Sequence, residues 1–315
     1  MAVAALVVGC SSPDDAESSS GSAGDLILNL PDGTSYTFSD VPERLVTLGT
    51  AWTDVALHFG VTPVGYYDDF ETGGGEAAPW LTGRVGDATE ISLDSVGPAV
   101  AGLDPDVIFA PGFAGDQLAT LQGLGVPVIS AVGDGQQVDS WQTMTQVMGQ
   151  ILREPDTAEQ IIADTDAAAD AVRAEYPNLA GKTYAFVNYY APDQMVALGD
   201  ASDGAAQFFS RLGLEITPTL VEGFQSSGQA RVALSTERVP DLDADLLFIL
   251  TTPELADTLE SLPGYSDLRS VQTGAVMRMT MLEASALNTP SPGSISYVLD
   301  AVKPTLQIAN DAPAE

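Results

Sequence analysis

Histidine and cysteine, the two side chains most often recruited for metal or nucleophilic chemistry, each occur once, as His58 and Cys10. A zinc- or manganese-type centre draws on several imidazoles and carboxylates, so one histidine argues against a protein-held metal. His58 falls just before Gly60, at the end of a helical pattern over residues 52–59, where a cationic ring suits a helix C-terminus. A hydrolase would need Gly-x-Ser-x-Gly and a base. The stretch 223–228 has the wrong spacing. Gly181, Lys182 and Thr183 match the end of a phosphate loop, but the earlier glycine is missing, and no Gly-x-Gly-x-x-Gly follows the first strand pattern. Catalysis is therefore not expected.

What remains is non-covalent recognition. Aromatic and arginine side chains collect just after apolar runs: Trp52, Tyr66, Tyr67, Trp80 and Arg84 in the first half, and Tyr189, Tyr190, Phe224 and Arg231 in the second. Aromatic faces can cover an apolar ligand perimeter, and a guanidinium fork can bind oxyanions. Strand alternation and loop position direct Tyr67, Trp80 and Tyr190 away from the core. For Trp52 and Tyr66 the pocket is favoured only modestly over a packed position, and Arg84 and Arg231 suit surface ion pairs equally. Phe224 and Arg231 fall in a stretch that reads as irregular.

The elements that position these residues form two similar α/β halves. Short apolar runs at 44–49, 61–67, 107–110 and 125–130, with helical patterns between them, predict βαβ units and a largely parallel sheet. The runs 183–187, 246–250 and 275–279, with a helix over 204–212, repeat the scheme. Leu103-Asp-Pro-Asp-Val-Ile-Phe109 echoes Leu242-Asp-Ala-Asp-Leu-Leu-Phe248. Between the halves, Trp141, Met144, Val147, Met148 and Ile151 keep helical spacing. The pattern resumes after Pro155, which is tolerated in a first helical turn. A helix of about 20 residues reaches about 30 Å, enough to bridge two domains.

With 44 acidic against 11 basic residues, the net charge is −33, which disfavours nucleic acid and anionic lipid as partners. It suits either a high-salt habitat or a solubility bias. After residue 10, no apolar run approaches the roughly 20 residues of a membrane span. Residues 1–9 are apolar and end in small residues before Cys10, which resembles the bacterial lipobox, in which that cysteine is diacylated. Two acyl chains anchor stably where one does not. Nine residues with no preceding Lys or Arg are short for a signal, so a start further upstream is expected. Residues 10–24 read as a polar tether.

Taken in order, residues 42–48, 56–65, 85–87, 103–108, 158–162, 242–245, 263–276 and 291–297 resemble the periplasmic iron–siderophore and cobalamin binding-protein family. The resemblance covers almost all of 40–310. It implies an α/β fold of two Rossmann-like lobes with largely parallel sheets, joined by one long backbone helix. The N-terminal lobe would span 25–137, the linking region 138–176 and the C-terminal lobe 177–315. It further implies a monomeric, lipid-anchored extracytoplasmic receptor that delivers a ferric siderophore to the membrane subunits of an ABC importer, with iron held by the siderophore and no cofactor of its own. Haem, with tyrosine as axial ligand, or cobalamin is the alternative cargo, and a lipoprotein enzyme or adhesin the remoter one. Glu237 and Asp94, with Glu90 in reserve, match the family's acids that dock into the importer.

Overall fold

A computed structural model describes residues 24–72, 77–111, 116–130, 132 and 139–313. Cys10 and the Gly73–Gly75 loop lie outside the described residues. The chain opens with an antiparallel hairpin, β1 (Leu26–Asn29) and β2 (Ser35–Phe38). Then come β3 (Leu45–Leu48), α1 (Thr50–His58), β4 (Gly65–Tyr67), α2 (Asp69–Thr72), β5 (Thr89–Glu90), α3 (Val96–Gly102), β6 (Val107–Phe109), α4 (Asp116–Gln122) and β7 (Val128–Ile129). They form a sheet of order β5-β4-β3-β6-β7, parallel throughout. Such a sheet is covered on both faces at its centre, so the central strands β3 and β6 are buried throughout and almost wholly apolar. On one face Leu45, Val107 and Phe109 pack with Trp52 of α1; on the other, Val46, Leu48 and Ile108 pack with Val96 and Val100 of α3.

Two helices follow, α5 (Trp141–Ile151) and α6 (Pro155–Glu175). Ser140 caps α5, its side chain accepting from the Thr143 N–H, and Pro155 occupies the first turn of α6, as its spacing predicts. The 21 residues of α6 divide between the lobes. Ala158 and Ile161 join the N-lobe core, and Ala169 and Val172 join the C-lobe core. One apolar face thus packs on both lobes, as a bridging helix must.

The C-lobe comprises β8 (Thr183–Ala191), β9 (Gln194–Leu198), α7 (Gly204–Arg211), β10 (Glu215–Ile216), α8 (Pro218–Ser227), β11 (Arg231–Ser235), β12 (Leu246–Thr251), α9 (Pro253–Glu260), α10 (Arg269–Thr273), β13 (Val276–Met279), α11 (Met281–Asn288) and α12 (Pro292–Asp311). Its sheet runs β11-β9-β8-β12-β13, with β10 alongside β8. It departs from the expected parallel scheme: β9 pairs antiparallel with β8, and β11 antiparallel with β9. The stretch read as irregular is ordered. Phe224 sits on α8, which starts at Pro218 and stops at Gly228 (φ 68°), and Arg231 opens β11.

The internal echo has a physical basis. Asp106, just before β6, accepts the backbone N–H groups of Glu43 and Arg44, both at 2.9 Å, where the chain enters β3. Asp245, just before β12, accepts the Thr183 N–H (2.7 Å) and hydroxyl (3.0 Å) at the start of β8. In each lobe the second aspartate of Leu-Asp-x-Asp thus pins the amino end of the adjacent central parallel strand. These donors begin a strand and have no ladder partner there, so a carboxylate satisfies them.

Candidate functional site

In open α/β lobes ligands collect outside the carboxyl ends of the strands. The C-terminal end of α12 lies at the amino end of β8, where Asn310 bonds Asn178 and Lys182 reaches the Ala312 carbonyl. Its 20 residues extend about 30 Å. Its first turn therefore reaches the carboxyl edge of the C-lobe, and there it meets α1, which leaves the carboxyl end of β3.

The contact is a single buried carboxylate. Asp54 on α1, fully buried, accepts the Gly293 N–H of α12 at 2.6 Å and the Arg84 guanidinium at 3.2 Å. The His58 ring nitrogen lies 3.2 Å from the same carboxylate and 2.8 Å from the Asp54 carbonyl. A Cβ at position 293 would stand 2.7 Å from the Asp54 carboxylate, so glycine is required for this approach. Burial opposes the charged imidazole, but the Asp54 hydrogen bond and charge outweigh it, and the His58 pKa is raised. Beside this latch, Trp80 packs edge-on to Phe70 (5.5 Å) and against Tyr297 of α12 (5.3 Å). Its indole N–H is buried with no partner among the described residues. Asp68 supports the same segment by accepting the Phe70 and Ala78 N–H groups. Asp69 accepts the Thr50 N–H, and burial raises its pKa.

Trp52 is 2% exposed, stacks on Phe109 at 4.9 Å and donates its indole N–H to the Ala110 carbonyl, so it belongs to the N-lobe core. Tyr66 and Tyr67 end β4, half-buried; Tyr67 packs against the Val46–Leu48 side instead of pointing clear of the core. Trp80, also expected to face outward, is buried where the lobes meet, because its segment packs on the C-lobe. Arg84 is committed to Asp54 and to the Trp80 carbonyl (3.1 Å). In the C-lobe Tyr189 is fully buried, its hydroxyl donating to the Pro192 carbonyl (2.8 Å). Tyr190 is 50% exposed, with its hydroxyl on Gln194. Phe224 packs on the face opposite α12, against the Leu220–Val232 cluster. Arg231 is held by Asp203 (3.0 Å) and Asn288 (2.7 Å) and lies 5.7 Å from the Phe186 ring centre. Asp94 and Glu237 are both exposed and stand in corresponding 3-10 turns, Leu93–Ser95 after β5 and Thr236–Leu242 after β11.

The structure thus brings Tyr66, Tyr67 and Tyr190 to the carboxyl edges and assigns Trp52, Tyr189 and Phe224 to packing. Residues absent from the sequence reading join them at the C-lobe edge: Thr251 at the end of β12 and Met281, 65% exposed, just after β13. Met281 lies within the capping box of Thr280 and Glu283, a sequence signal for a helix start immediately after a strand. Asp54 was legible too, as an i,i+4 partner of His58. A separate cavity of about 210 Å³ lies between α5, α6, α7 and α12, lined by Ser140, Trp141, Asp166, Gln207, Arg211 and Asn288 among others. Among the described residues no cluster of His, Cys, Asp and Glu could hold a metal ion, and no helix is long and apolar enough to cross a membrane.

Comparison with known proteins gives this geometry a family. The chain is 24% identical over 231 residues, 70% of its length, to a probable siderophore-binding lipoprotein of Bacillus subtilis, YfiY, of which the match spans 66%, just under two thirds. Among solved structures, Staphylococcus aureus SirA complexed with staphyloferrin B superposes with TM-score 0.73 at 19% identity, covering 90% of this chain and 98% of that one. PiaA of Streptococcus pneumoniae in complex with ferrichrome superposes with TM-score 0.70 at 23% identity, covering 90% and 99%. The periplasmic binding protein family model matches residues 53–281, from α1 to the start of α11, and the chain belongs to that family.

Proposed function

We propose that the protein is a lipid-anchored, extracytoplasmic receptor that binds a ferric siderophore between its lobes and delivers it to an ABC importer. The observation that carries this reading is the meeting of the two carboxyl edges around the Asp54–Gly293 contact, with Tyr190 and Met281 exposed on the C-lobe side. An aromatic and a thioether at a wet edge suit a bulky, partly apolar chelate. The siderophore named in the relatives' descriptions supports the cargo class. Iron stays with the chelate, the protein acts as a monomer, and Cys10 carries the acyl chains.

Asp94 and Glu237 are the docking acids. Their corresponding turns and exposure give the importer one carboxylate on each lobe, with no ion-pair partner among the described residues. Glu237→Lys should abolish cellular uptake of the ferric complex while its affinity for the purified protein is unchanged; unimpaired uptake would refute the assignment. Saturable quenching of the tryptophans by ferric siderophores tests the cargo, and silence across hydroxamate, catecholate and citrate complexes would refute it.

A further inference from the structure

The chain has seven methionines, and all but Met1 are among the described residues. Their exposure is sharply divided. Met144, Met148, Met195 and Met279 are between 0% and 5% exposed, and Met277 is half-buried against the C-lobe core. Met281 is 65% exposed. Thioether oxidation follows access, so Met281 stands apart from the other five as a target.

Its position gives that access a consequence. β13 runs parallel to β12, and Met279 pairs with Leu250, so Met281 lies just past the carboxyl edge at which β12 ends in Thr251. It opens α11, one turn ahead of Ala284, which is buried in the C-lobe core together with Leu287. The later turn of the helix is anchored in the lobe, and its first residue is left over the edge. Five large apolar side chains are exposed among the described residues: Ile27, Val41, Tyr190, Met281 and Ile308. Of these, Tyr190 and Met281 are the two at the carboxyl ends of C-lobe strands.

Resting on the siderophore reading above, we infer that Met281 is a redox-sensitive ligand contact: a hydroperoxide converts it to the sulfoxide, and affinity for the ferric chelate then falls. A sulfur lone pair attacks the peroxide, the O–O bond breaks as an S–O bond forms, and water or an alcohol leaves. Sulfur is oxidised by two electrons and the hydroperoxide is reduced by two. The thioether is apolar and polarisable and suits an apolar chelate perimeter. The sulfoxide carries a polar acceptor, from which the same perimeter strips water without offering a donor in return. Methionine sulfoxide reductase with a thiol reverses the change, removing the oxygen as water while the thiol becomes a disulfide. The receptor's hold on its cargo thereby responds to peroxide.

The test treats the full chain with increasing hydrogen peroxide and removes the oxidant before any iron complex is added. Peptide mapping by mass spectrometry then follows each methionine, and titration with ferrichrome and ferrioxamine B follows affinity. Met281 should gain oxygen ahead of Met144, Met148, Met195, Met277 and Met279. Affinity should fall at least about fivefold as Met281 converts, and should return after methionine sulfoxide reductase and dithiothreitol. The Met281→Leu chain, compared with its own untreated form, should keep its affinity through the same treatment. Oxidation that begins at a buried methionine, a fully converted Met281 with unchanged affinity, or an equal loss in Met281→Leu would overturn the inference while leaving the siderophore reading intact. If the untreated chain binds none of ferrichrome, ferrioxamine B, ferric citrate and ferric enterobactin, the siderophore reading itself is refuted, and the redox-sensitive contact with it.

Discussion

In the N-lobe every strand pair of the central sheet is parallel, whereas the C-lobe sheet carries antiparallel β9 and β11 on one side. The consequence lies at the carboxyl edges. Parallel strands return through helices, so the N-lobe residues leaving β3 and β4 are drawn back into packing: Trp52 onto Phe109, Tyr67 onto the sheet. In the C-lobe, β8 runs straight into a tight turn with β9, and alternation along this hairpin buries Tyr189 while turning Tyr190 into solvent. A hairpin can thus present a side chain at the edge that a βα loop on the other lobe would pull inward. The amino edges, by contrast, are built alike, with Asp106 and Asp245 in the same role.

The comparison can be broken most forcefully at Tyr189 and Tyr190. Tyr189→Ala should cost about 4 kcal/mol in urea-induced unfolding, as expected for emptying a buried aromatic site. Tyr190→Ala should change stability by less than about 0.5 kcal/mol and weaken chelate binding instead. Similar stability losses in both would mean that the alternation is misread. Asp54→Ala removes the shared partner of Gly293 and Arg84 and should cost about 3 kcal/mol, less than a fully buried pair because Arg84 is partly solvated. Asp106→Ala and Asp245→Ala, each stripping two donors of their acceptor, should cost about 2 kcal/mol and by similar amounts in the two lobes; a cost in one lobe alone would end the equivalence.

The smallest effect is pH-dependent. His58 has a raised folded pKa, so the stability its pairing with Asp54 contributes is fully present below its unfolded value, about 6.5, and is lost as pH rises through the folded pKa. His58→Gln should flatten that part of the Tm-versus-pH profile, and a profile unchanged by the substitution would remove the pairing from the account.

Much of the scaffold was legible in the sequence. The buried strand β6 is an unbroken apolar run, β3 is broken only by Thr47 and β12 only by its last residue, Thr251, and Pro155 marks the start of α6. The Leu-Asp-x-Asp echo exposed the relation between the lobes. What escaped was short or decided by tertiary contact. The alternation in β11 spans only five residues, Arg231–Ser235. The helix carrying Phe224 had its signals in Pro218 and Gly228, but its buried face is small, with Leu220 its fully covered residue. The site residues were less legible because a tyrosine after a strand looks the same whether it packs or protrudes. The fates of Trp80 and Arg84 depend on the opposite lobe, which local pattern does not encode.

Hydrogen exchange with and without ferrioxamine B tests the central claim, that ligand binds between the two carboxyl edges, most directly. The account predicts added protection in the β8–β9 hairpin around Tyr190, at the start of α11 around Met281, and at the end of β4, in both lobes together. Protection confined to the cavity between α5, α6 and α7, around Gln207 and Arg211, would contradict it.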